Sequence, residues 1–108
     1  MSPYEYQQLA GVTEKPLAFE ERLQHGLLGI TSEAGEIADT IKKFVIYSQP
    51  LDTDNLKEEL GDILWYIALL ANAADLQLEE IMEENIAKLQ RRYPEKYSDA
   101  DAMRRRDK

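Results

Sequence analysis

Cysteine is absent from the 108 residues, and histidine occurs once, at His25. Without thiols there is no disulfide, no thiolate nucleophile and no Cys-based zinc or iron–sulfur site, and a single imidazole cannot build a multi-histidine metal centre. Positive charge is scarce as well. Thirteen Lys+Arg against 21 Asp+Glu leave a net charge of −8, whereas nucleic-acid binding needs a basic footprint. No segment alternates with period two, no glycine-rich phosphate loop occurs and no internal repeat is visible. The longest nearly unbroken apolar run, 63–71, is about half of what spans a bilayer. Met1-Ser2-Pro3-Tyr4-Glu5 lacks the basic-then-apolar pattern of a secretory signal. These absences predict a soluble, cytoplasmic protein with no membrane and no stable nucleic-acid partner, whose chemistry rests on oxygen donors.

What is present is helical periodicity. Ser2, Pro3 and Glu5 form a capping box that opens a short helix over about 3–10, ended by Gly11. Apolar residues then recur every three or four positions at Phe19, Leu23, Leu27, Ile30, Ala34, Ile37, Ile41 and Val45. Gly26, Gly29 and the Thr31-Ser32 pair predict a kink or break near 29–32 in this long helix. A polar loop over 47–55 leads to a third helix, with Asn55 as a plausible cap, running to about 74. A fourth carries Leu78, Ile81, Met82, Ile86 and Leu89 and stops near Arg92, before Pro94. The fold class expected is all-α, an antiparallel helical bundle, with residues 1–97 as one domain and 98–108 as a charged tail that frays or adds a helical turn. Trp65, Tyr66, Ala68 and Leu69 lie away from the Leu60, Leu64, Ile67 and Ala71 stripe of the third helix. A helix apolar all round is buried all round, so a second copy of the chain is expected to complete the bundle by oligomerisation.

Two helices each carry acids at i, i+3: Glu33 with Glu36, and Glu59 with Asp62. On a wheel of about 100° per residue, Glu33 and Glu36 fall roughly 60° and 120° from the centre of their apolar stripe, and Glu59 and Asp62 about 70° and 130° from theirs. Antiparallel packing would bring both pairs to one seam. Each pair brackets or adjoins a glycine, Gly35 or Gly61, in a helix interior where Gly costs about 1 kcal/mol relative to Ala. Either close helix packing or room for a metal, water or substrate would repay that cost. Converging carboxylates repel unless cations compensate, and hard oxygen donors select Mg²⁺ or Mn²⁺ over Zn²⁺. Ordinary solvated charge is the competing explanation for either pair alone. Glu-x-x-His motifs, which a di-iron bundle needs, are absent, and His25 reads as a surface or packing residue, with contact to substrate as the lesser alternative.

An acidic Mg²⁺ site suits a polyphosphate, which also needs cationic donors. On the fourth helix Asn85, Lys88 and one of Arg91 or Arg92 can share a face and grip phosphate oxygens. A basic helix C-terminus complementing the macrodipole is the alternative. Asn85 lies on the side of Met82, Ile86 and Leu89, where an amide needs a partner.

The ordered set Glu33-x-x-Glu36 and Glu59-x-x-Asp62, with Gly29-Ile30 before it, Lys42-Lys43 between the pairs, Ile63-Leu64-Trp65-Tyr66 after it and Asn85-Ile86-x-Lys88-Leu89-x-x-Arg92-Tyr93-Pro94 last, resembles the small MazG-like branch of the all-α nucleoside triphosphate pyrophosphohydrolases. The resemblance covers roughly residues 17 to 97. It implies cleavage of a nucleoside triphosphate to the monophosphate and pyrophosphate, by attack of a metal-activated water on the α-phosphorus. Glu33, Glu36, Glu59 and Asp62 would be the catalytic Mg²⁺ ligands. Asn85, Lys88 and Arg92, with Arg91 as neighbour, would bind substrate, and Trp65 or Tyr66 would line the base pocket unless Trp65 packs between subunits. A homodimer or homotetramer with composite sites is implied too. Two other readings compete: a non-catalytic helical oligomerisation or adaptor module, and a related phosphohydrolase acting on another nucleotide, such as a phosphoribosyl nucleotide.

Overall fold

Five helices succeed one another in the computed structural model, which describes residues 1–104: α1 (Pro3–Val12), α2 (Phe19–Val45), α3 (Thr53–Ala73), α4 (Leu78–Arg92) and α5 (Asp99–Arg104). Among the described residues there is no strand. The fold class is all-α, as the periodicity implied. No described helix is long and apolar enough to cross a membrane.

The caps explain the boundaries. Ser2 accepts a hydrogen bond from the Glu5 amide at 3.1 Å, and Pro3 opens α1. Helix α1 runs through Gly11 to Val12, so that glycine does not end it. Asp52, not Asn55, caps α3, accepting from the Asn55 amide at 3.0 Å. The side chain of Asn55 is thereby released for another task. Asp75, at φ 57°, turns the chain out of α3 in the left-handed region that Asp tolerates. The charged tail forms α5, which packs on α4; Arg105 and Arg106 of the basic run lie outside the described residues.

Helices α2 and α3 form a long antiparallel hairpin, and α1 lies across the far end of α3. The expected break near 29–32 does not occur, because both glycines are contact points. A Cβ on Gly29 would fall 2.2 Å from the Tyr66 ring, and one on Gly26 would fall 3.0 Å from Leu70 Cβ. Trp65, Tyr66, Ala68 and Leu69 are covered within the chain. Ala68 and Leu69 are fully buried and cluster with Ala10 of α1, with Tyr6, Trp65 and Tyr66 packed around them. The side of α3 assigned to a second copy is thus largely the cover for α1. Buried Gln7 locks this corner: its amide donates to Asn72 Oδ1 and to the Leu76 carbonyl, each at 2.8 Å, and its Oε1 accepts from the Leu78 amide at 2.8 Å. These bonds also set where α4 starts.

The apolar stripe of α2 is only partly spent, with Leu23, Ile30 and Ile37 half-buried and the rest exposed. Gly26, Gly29 and Thr40 are the buried positions of α2, whereas Leu27 is 59% exposed and Val45 63%. Leu60 and Leu64 of α3 and Met82 and Ile86 of α4 are exposed too. Helix α4 packs mainly on α1 and α5, leaving the hairpin to project beyond it. The radius of gyration is 16.9 Å, against about 13 Å for a compact domain of this length.

Candidate active site

The acid pairs occupy the half of the hairpin nearest its loop. Glu59 is 5% exposed and faces α2, where buried Thr40 donates to its Oε1 at 3.0 Å. Asn55, one turn earlier on α3, donates through Nδ2 to Thr40 Oγ1 at 3.0 Å and to Glu59 Oε1. Glu33 is half-buried, while Glu36 and Asp62 are exposed.

Glu33 senses the other three acids. The Glu33 carboxyl is pushed above its ordinary range by desolvation and then by the charges of Asp62, Glu36, Glu59 and Glu58. Among the described residues no Lys or Arg forms an ion pair with Glu33, Glu36, Glu59 or Asp62. Lys43 comes nearest in effect. It is paired with Asp39 at 3.1 Å, and its ammonium is held above the usual lysine range first by that pair and also by Glu36 and Asp52. No three of the described acidic or imidazole groups form a ready metal cage. The donor set, carboxylate oxygens with no neutralising cation, still fits a hard divalent ion.

Gly35 and Gly61 have open space around them, with nothing within 4 Å of an added Cβ. Close packing inside the chain is therefore not their purpose. His25 packs edge-on to Trp65 and Tyr66, with ring centroids 6.3 and 5.6 Å away, and its buried Nδ1 has no partner among the described residues. Trp65 donates to Thr13 Oγ1 at 3.1 Å, so both aromatics belong to the α1 end of the hairpin.

The proposed phosphate-binding residues are not assembled with the acids in one chain. Asn85, Lys88, Arg91 and Arg92 lie on α4, which packs on α1 and not substantially on α2. Asn85 is exposed, as are Met82 and Ile86 beside it. Its amide therefore has solvent, and the need for a partner disappears. The sequence singled out Asn55 only as a cap and Thr40 not at all, although Thr40 is four residues after Glu36 and Asn55 four before Glu59, the spacing that stacks side chains on one helical face.

Residues 22–97 match the family model described as the MazG nucleotide pyrophosphohydrolase domain. The chain belongs to that family. All four acids, and Asn85 through Arg92, fall inside the matched MazG segment. The chain is also similar to the Gene 37 protein of Mycobacterium phage L5, at 41% identity over 76 residues covering 67% of each chain. No solved structure matches it. MazG membership makes this a protein of a nucleotide pyrophosphohydrolase family.

Proposed function

We propose that this MazG-family chain is a Mg²⁺-dependent nucleoside triphosphate pyrophosphohydrolase, with Mn²⁺ able to substitute, working on cytoplasmic nucleotides. The hydrolysis joins a water oxygen to the α-phosphorus and breaks its bond to the oxygen bridging to the β-phosphorus, releasing (d)NMP and pyrophosphate. When bound, the divalent ion supplies neutralisation of phosphate charge and a water of lowered pKa. Glu33, Glu36, Glu59 and Asp62 hold it. The observation that carries this reading is the placement of the four acids inside the matched MazG segment, on the two packed helices of one hairpin.

Asn85, Lys88, Arg91 and Arg92 would grip phosphates or sugar. Because α4 does not reach the acids in its own chain, a second copy would have to deliver them, so the working unit is a homodimer or homotetramer. The exposed stripes of α2 and α4 support the same conclusion, since apolar surface of that extent calls for a cover. Tyr66, beneath Gly29, is better explained as a packing residue than as a base-pocket wall.

A product assay tests the reading. Purified protein with Mg²⁺ and a panel of ribo- and deoxynucleoside triphosphates should yield monophosphate and pyrophosphate, with light scattering reporting more than one chain per particle. No turnover of any nucleotide, with Glu36→Gln and Asp62→Asn at least as stable as wild type, would instead identify a helical adaptor module.

A further inference from the structure

Glu59 and Thr40 are 5% and 6% exposed, and a carboxylate this buried is costly unless its oxygens are satisfied. Its satisfaction is unusual in being wholly neutral. Thr40 Oγ1 stands 3.0 Å from Oε1 and 3.3 Å from Oε2, and also 3.2 Å from the Glu36 carbonyl oxygen. One hydroxyl proton can serve only one of these acceptors at a time, and an ionised carboxylate is the strongest of them. The amide of Asn55 donates to Thr40 Oγ1 at 3.0 Å, so the hydroxyl accepts there and its own proton is left for Glu59. The same amide donates to Glu59 Oε1. Oε1 is therefore occupied by both donors, and Oε2 keeps most of its accepting capacity.

We propose that Thr40 and Asn55 are positioning residues that fix the Glu59 carboxylate, with one oxygen held by the protein and the other reserved for the divalent ion. This deepens the metal-site reading above and rests on it. Neutral donors matter here. A Lys or Arg in place of either would satisfy the same oxygen but cancel the charge that attracts the cation. A hydroxyl and an amide satisfy Oε1 and leave the full negative charge available. Thr40 also touches the backbone of Glu36, so one side chain ties the acid pair of α2 to that of α3 across the seam.

The test is Mn²⁺ titration followed by electron paramagnetic resonance, with thermal melts by circular dichroism in parallel. The proteins are wild type, Thr40→Val, Thr40→Ser, Asn55→Ala and Glu59→Gln. Loss of an outer hydrogen-bond partner should weaken Mn²⁺ affinity by about ten- to hundredfold in Thr40→Val and Asn55→Ala. Thr40→Ser, which keeps the hydroxyl, should recover most of it. Asn55 lies near the exposed start of α3, so its variant keeps the fold even where Thr40→Val loses it. Wild-type Mn²⁺ affinity in Thr40→Val and Asn55→Ala, with only the melting temperature lowered, would overturn the proposal while leaving the metal site standing. If wild type and Glu59→Gln take up Mn²⁺ equally or not at all, Glu59 is no ligand and the metal-site reading fails together with this one.

Discussion

The two halves of the α2–α3 hairpin use the same ingredients for opposite ends. Near α1, Gly26 and Gly29 let Leu70 and Tyr66 press against the backbone of α2, and the seam is aromatic and closely packed. Near the loop, Gly35 and Gly61 touch nothing, and the seam carries Glu33, Thr40 and Glu59 with Glu36 and Asp62 at its edge. A glycine in a helix costs about 1 kcal/mol in either place. At one end that cost is offset by contact within the chain. At the other no contact within the described chain offsets it. One half is closely packed, and the other carries like charges beside open space.

Several substitutions sharpen that contrast. Glu36→Gln and Asp62→Asn should each lower nucleotide turnover by about a hundredfold or more, since cation-mediated stabilisation is worth several kcal/mol, while melting temperature holds or rises; steady-state assays and melts together decide it. Saturating Mg²⁺ should stabilise the wild type, by about 2.7 kcal/mol at a hundred times its Kd, read as a rise in melting temperature that Glu59→Gln lacks. This increment depends on pH. Glu33 has a raised carboxyl pKa in the fold, so its contribution to stability is present at acid pH and is lost as pH rises through that raised value. Lowering the pH through the same window should therefore relieve repulsion in the metal-free protein and shrink the Mg²⁺ increment. A Mg²⁺ increment that grows on acidification would contradict it.

In the packed half, Gly29→Ala should destabilise by about 1–3 kcal/mol, because its Cβ would meet the Tyr66 ring at 2.2 Å; denaturant midpoints measure it. The smallest effect belongs to the open half. Gly35→Ala and Gly61→Ala should each stabilise the isolated chain by about 0.5–1 kcal/mol. A loss of stability there would mean that a second copy or a ligand already closes on those glycines and would erase the distinction between the halves.

The helices, their order and the two acid pairs were legible from the sequence because periodicity, caps and i, i+3 spacing are local properties of one strand of chain. Which face each helix turns inward was not. The apolar stripe through Leu27, Ala34 and Val45 pointed to the α3 seam, yet Gly26, Gly29 and Thr40 occupy the interior. An amphipathic pattern names an apolar face without naming what covers it, and small residues that permit close approach weigh little in such a pattern. Asn55 was misread for a related reason. A residue suited to capping sat three positions from a better one, and once Asp52 took the cap, the Asn55 amide was left for Glu59.

By itself, the sequence determined an all-α chain with no thiol chemistry, a surplus of negative charge and four carboxylates at helical spacing, because composition and short-range geometry suffice for these. Tertiary structure alone decided that α1 covers the aromatic side of α3, that α4 stays away from the acids, and that Glu59 is held by a hydroxyl and an amide. Those outcomes depend on which of several suitable surfaces meet, and competition among contacts distant in sequence settles that choice.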